Sequence, residues 1–154
     1  MHPNEALLTG FYEAFAQKDP APMRAAYAPE AQFTDPAFPD LRGAAIGDMW
    51  TMLCEQAKGF RLEFRDVKAD DGSGSVHWEA WYRFGGKRKV HNVIEAKFSF
   101  SGGRISRHAD SFDFWRWSRQ ALGPAGLVLG WTPMLRGAVV SRAAASLGAW
   151  QKKR

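Results

Sequence analysis

Residues Val90–Gly123 read V-H-N-V-I-E-A-K-F-S-F-S-G-G-R-I-S-R-H-A-D-S-F-D-F-W-R-W-S-R-Q-A-L-G. This stretch constrains the fold more than any other. Two apolar-rich runs flank Ser101-Gly102-Gly103, the signature of two antiparallel strands joined by a tight turn. Side chains alternate along a strand, so His91, Val93 and Glu95 share one face. On the next strand His108, Asp110 and Phe112 share a face. Carboxylates and imidazoles set among Phe, Val and Ile are costly unless they find partners or do chemistry. The pattern predicts a polar site inside an apolar shell, the usual form of a small-molecule pocket.

The rest of the chain predicts what this hairpin packs against. Ala6, Leu7, Phe11, Ala14 and Phe15 give residues 4–17 one apolar helical face. A short second helix follows Asp19-Pro20 and stops near Pro29. Ala31–Asp35 reads as a short strand, and Pro36, Pro39 and Gly43 mark a loop. Residues 44–58 form a third helix that buries Ile46, Trp50, Leu53 and Cys54. From Phe60 the period becomes two: Leu62 and Phe64 alternate with Arg61, Glu63 and Arg65. After the turn at Asp70–Gly74, Val76, Trp78, Ala80, Tyr82 and Phe84 face one way. Helices followed by a run of antiparallel strands give an α+β fold, with three N-terminal helices over a sheet that curls into a cone. The Asp113–Trp117 segment reads as the last strand.

The length of 154 residues fits one domain over 1–123, with a helical appendage over 124–154 that packs on the domain or on a second subunit. One cysteine excludes an intramolecular disulfide and points to a reducing, cytoplasmic setting. No stretch is long and unbroken enough to span a membrane, and no membrane partner is expected. Residues 1–60 carry four Lys/Arg against eight Asp/Glu, and residues 61–154 carry seventeen against eight. The cations are scattered through the elements, so a solvated basic face is favoured over a nucleic-acid surface. Seven Trp exceed what one small core needs, and a homodimer through Trp81, Trp115 and Trp117 is expected. Two histidines beside Asp110 or Glu95 match no metal-ligand spacing, so no metal and no cofactor are expected.

Three segments resemble the nuclear transport factor 2-like superfamily, within its ketosteroid isomerase and SnoaL-like polyketide cyclase branch. They are the helix ending at Lys18-Asp19, the run A-A-Y-A-P-E-A-Q-F-T-D-P, and V-I-E-A-K-F-S-F-S-G-G-R-I. The resemblance covers roughly residues 5–118. It implies the cone fold, Asp35 as a proton-shuttling carboxylate and Glu95 as the protonated acid of an oxyanion hole. It further implies that Asp110 matches the acid/base Asp of the cyclases. The isomerase's donor Tyr aligns with Phe11, which has no hydroxyl, and Tyr12 lies about 100° round the helix. Steroid isomerisation is therefore not expected. The function expected is a cofactor-free acid/base enzyme of isomerase, cyclase or hydratase type acting on a hydrophobic small molecule. Asp110, Asp35, Glu95 and His108 carry its chemistry, and Phe11, Trp50, His91 and Phe112 hold the ligand. The alternatives are a non-catalytic ligand-binding module and a dimeric interaction module.

Overall fold

A computed structural model describes residues 1–154. Helix α1 (Pro3–Ala16) starts where the sequence supplies a capping box. The His2 ring accepts from Asn4 N, Glu5 reaches back to His2 N, and Pro3 fills the first turn. Leu8, Phe11, Tyr12 and Phe15 recur at helical spacing and form its buried face. Helix α2 (Pro20–Ala25) leads into β1 (Tyr27–Thr34), the two-residue β2 (Leu41–Arg42) and α3 (Ala44–Gln56). The strands β3 (Arg61–Ala69), β4 (Ser73–Phe84), β5 (Arg88–Ser101) and β6 (Arg104–Ser111) follow.

The six strands form one curved, unclosed sheet in the order β2-β1-β6-β5-β4-β3. Consecutive strands β3 to β6 are antiparallel, and β1 joins β6 in parallel. The β5–β6 turn needs left-handed backbone at two positions, and Gly102 and Gly103 supply it at φ +59° and +78°. Register then decides every side chain's face. Ala96 pairs with Asp110 and Phe98 with His108, so the inner face of β5 carries Val90, Asn92, Ile94, Ala96, Phe98 and Phe100. The inner face of β4 carries Val76, Trp78 and Ala80. The three N-terminal helices and this face enclose one core of 25 residues.

Three helices follow the sheet: α4 (Phe114–Leu122), α5 (Pro124–Leu129) and α6 (Pro133–Lys152). The segment after Asp113 is therefore a helix and not the last strand. Asp113 caps it by accepting from Arg116 N, and Phe114, Trp117, Ser118 and Ala121 make the buried stripe. That geometry also removes Trp117 from the outer face. Its ring is buried against Val90 and Phe114, and its Nε1 donates to the Tyr82 hydroxyl at 2.8 Å. Helix α6 lies on α3, burying Leu147 in the main core, and Trp150 Nε1 donates to Glu55 Oε1 at 2.9 Å.

Strand β6 pairs with β5 only from Glu95 onward, so the first half of β5 has an open edge. Gln120 of α4 closes part of it. Its Oε1 accepts from His91 N at 2.7 Å, and its Nε2 donates to His91 O at 3.2 Å. One side-chain amide thus takes the place of a neighbouring peptide group. Gln120→Ala leaves both His91 groups without a protein partner. It is expected to cost about 1 kcal/mol in denaturant unfolding and to speed amide exchange at His91.

Candidate active site

The site is built from the inward residues of β6. His108 is fully buried and Asp110 nearly so. Aromatic rings close around the imidazole: Phe98 at 4.2 Å between centroids, Phe33 at 4.9 Å, and Phe11, Tyr27 and Trp50 farther out. A histidine so placed needs both ring nitrogens satisfied. The Tyr27 hydroxyl lies 2.7 Å from His108 Nδ1, and His108 Nε2 lies 2.8 Å from Asp110 Oδ1. Trp50 Nε1 donates to the Tyr27 oxygen at 2.9 Å, and Trp78 Nε1 donates to Asp110 Oδ1 at 3.4 Å.

Donor and acceptor capacity assigns the hydrogens. An indole N–H only donates and a carboxylate only accepts. Trp50 therefore donates to Tyr27 and Trp78 to Asp110. With Asp110 as a carboxylate, Tyr27 donating to His108 Nδ1 and His108 Nε2 donating to Asp110 is the arrangement that leaves no hydrogen without an acceptor along the chain. Burial raises the Tyr27 phenol well above its ordinary pKa, the Trp50 N–H opposes that rise, and the Asp110 charge adds to it.

Both protein bonds to Asp110 land on Oδ1, which leaves Oδ2 for a ligand. Asp35 repeats the arrangement at the end of β1. Its Oδ1 accepts from Ala37 N at 2.7 Å and Phe38 N at 2.6 Å, in the turn that Pro36 opens. Burial is the largest influence on this carboxyl and pushes it up to about 7. The Phe38 N–H opposes the rise, the Asp110 charge adds to it, and the Ala37 N–H opposes it. The Asp110 charge thus reaches Asp35, and each carboxyl has one oxygen held by protein donors. The Tyr12 hydroxyl is buried with no hydrogen-bond partner, and the Asp110 charge adds to the burial that raises its pKa. It is a donor in search of an acceptor.

His108, Asp110, Phe11 and Trp50 thus come together, Asp35 lies within reach of the Asp110 charge, and Phe112 packs toward Trp117. Glu95 and His91 do not belong with them. Glu95 pairs across the sheet with Ser111, one residue out of phase with Asp110, and is exposed on the outer face. There it bonds His77, which also binds Glu79 Oε2 at 2.8 Å, while His91 Nε2 binds Glu79 Oε1 at 2.7 Å. The His77 and His91 hydrogen bonds draw the Glu79 carboxyl down to about 2. Glu95 is therefore not an oxyanion-hole acid, because it is neither buried nor inward. No three His, Cys, Asp or Glu side chains converge as a metal-binding group. Tyr27, Tyr12 and Trp78 are the site residues that sequence reasoning missed.

A helix-covered, cone-like sheet with its polar groups on the inner face of the late strands defines a nuclear transport factor 2-like α+β protein. The SnoaL-like domain pattern matches residues 8–108, and the chain belongs to that family. No curated protein matches the sequence. Among solved structures it is similar to an LEH-like epoxide hydrolase of M. tuberculosis, with 20% identity and a TM-score of 0.66, over 82% of this chain and 96% of that one. It is similar to a nuclear transport factor 2-like protein of unknown function from Burkholderia pseudomallei, with 19% identity and a TM-score of 0.69, over 79% and 98%. A hypothetical protein with a ketosteroid isomerase-like fold from Catenulispora acidiphila, in complex with trimethylamine, has 14% identity and a TM-score of 0.67 over 82% and 97%. At these identities the likeness is one of fold.

Two outcomes follow from the geometry. Tyr27→Phe strips Trp50 Nε1 of its acceptor and His108 Nδ1 of its donor, both buried. Thermal and denaturant unfolding should show a loss of about 2–4 kcal/mol. Asp35 has a folded pKa above its unfolded one, so the unfolded chain gives up this proton first. Its contribution to stability is present below about pH 4 and is lost as pH rises through about 7. Asp35→Asn keeps the two backbone bonds and removes that loss. The gap in stability between variant and wild type should widen in favour of the variant across this window.

Proposed function

We propose that this SnoaL-like protein is a cofactor-free acid/base enzyme acting on a hydrophobic small molecule. One observation carries the proposal: Asp35 lies within reach of the Asp110 charge with its carboxyl pushed up to about 7, and each aspartate has one oxygen held by protein donors. A carboxyl raised toward neutrality beside a second carboxyl is one way a site supplies an acid and a base at the same pH.

Asp110 is the base. Its Oδ1 is held by the His108 ring and by Trp78, so Oδ2 keeps a fixed direction. It takes a proton from a substrate carbon or from a water. Asp35 is the acid. Raised to about 7, it holds a proton in a substantial fraction of molecules near neutrality and delivers it from Oδ2 to the oxygen or carbon that gains charge. The unpartnered Tyr12 hydroxyl supplies a hydrogen bond to that same developing charge. His108 and Tyr27 touch no reacting atom and act as positioning residues for Asp110. Removing a proton at one carboxyl and giving one back at the other suits isomerisation, cyclisation or hydration. The LEH-like epoxide hydrolase among the similar structures supports hydration within that set. Phe11 in place of a second phenol favours a different reading, a ligand-binding module that uses the same enclosure without turnover.

A panel of apolar epoxides, enones and polyketide-like aromatics, followed by mass spectrometry, tests the proposal. Against a substrate found there, Asp110→Asn should lower kcat by about 10²–10⁴-fold with little change in ligand affinity or unfolding midpoint. Asp35→Asn should abolish the limb of the pH–rate profile centred near 7. Full turnover in both variants would overturn the assignment of these two aspartates, and ligand binding with no turnover of any panel member would favour the binding module.

A further inference from the structure

We propose that the surface formed by α4, α5 and the β4–β5 turn docks on an anionic lipid bilayer. Within eight residues, 127–134, five large apolar side chains stand in solvent. Trp131 is 74% exposed, Met134 75%, Val128 63% and Leu127 54%, with Leu129 beside them. Single exposed apolar residues are ordinary, but a contiguous ledge of this kind marks a contact surface. Indole-to-carbonyl bonds hold the ledge in place: Trp115 Nε1 donates to Leu127 O at 3.1 Å, and Trp131 Nε1 donates to Val128 O at 2.9 Å.

Charge says what covers it. The same Trp115 ring carries the Arg119 guanidinium at 4.1 Å. Arg119 in turn lines an open cleft with Arg116, Lys87, Arg88 and Lys89, in which no carboxylate takes part. Arg88 lies against Gly123, where α5 begins, and its Nε donates to Gln120 O at 2.8 Å. Ledge and cleft are therefore one continuous surface. From Phe114 to the last residue the chain has seven Lys and Arg and no Asp or Glu. A second copy of this surface would bring like charges together, whereas an anionic leaflet offers phosphates to the cations and acyl chains to the ledge. Trp131 and Trp115 suit the headgroup boundary, where an indole buries its ring and keeps its N–H bonded. No helix is long and apolar enough to cross a membrane, so contact would be at the surface. The expectation of no membrane partner rests on the lack of a stretch able to span a bilayer, whereas this proposal concerns contact at its surface.

Co-sedimentation with vesicles tests this. The protein should pellet with phosphatidylcholine–phosphatidylglycerol vesicles, remain soluble with phosphatidylcholine alone, and be released by salt. The double variant Trp131→Ser, Met134→Ser changes only exposed side chains and should lose binding while its circular dichroism stays unchanged. Arg119→Gln and Lys89→Gln should each weaken binding about fivefold. Three results would overturn the proposal: no binding to anionic vesicles, binding unaffected by the double variant, or a wild-type dimer that the double variant splits without any vesicle binding.

Discussion

The buried hydrogen bond between His108 and Asp110 is the constraint around which the rest of this structure is arranged. A buried imidazole is tolerated when both ring nitrogens are answered, and a buried carboxylate when donors hold it. The answers come from four separate elements: Tyr27 opens β1, Trp50 lies in the middle of α3, Trp78 lies in β4, and the pair itself lies in β6. Helix α3 must therefore dock at one height over the sheet, and β1 must lie beside β6 in register. The aromatic rings that crowd His108 exclude water and strengthen each of these bonds.

The same arrangement separates the two carboxyls chemically. Asp110 is held by side-chain donors at the centre of the cone, whereas Asp35 is held by backbone N–H groups in a proline turn nearer the surface. Burial and the neighbouring charge both favour a proton on Asp35. On the proposed function, this difference in support, more than the residue types, would let two aspartates act as acid and base. The outer face of the sheet shows the contrast. There Glu79 accepts from two histidines, lies far below the ordinary carboxylate range, and serves structure.

Much of this was legible in the sequence. The apolar spacing of α1 and α3, the glycine turn and the alternation of β4 each carry a local signal, and they give the α+β cone. The phase of β6 likewise turns His108 and Asp110 inward together. Glu95 faces outward because a longer alternation than His91, Val93 and Glu95, namely Val90, Ile94, Ala96, Phe98 and Phe100, fixes the opposite face as the inner one. Helix α4 looked like a strand because Phe114-Trp115-Arg116-Trp117 mimics a period of two. The Asp113 cap and the Phe114, Trp117, Ala121 spacing were the better signal. Tyr27 left no local trace, since its partners His108 and Trp50 are brought to it only by tertiary packing.

The coupling of Asp35 to Asp110 is the central claim, and carboxyl-detected nuclear magnetic resonance of the aspartate-labelled protein tests it most directly. Asp35 should titrate near 7 in the wild type. In Asp110→Asn, with the neighbouring charge gone, its midpoint should fall. A wild-type Asp35 midpoint in the ordinary carboxylate range, or one that Asp110→Asn leaves in place, would contradict it.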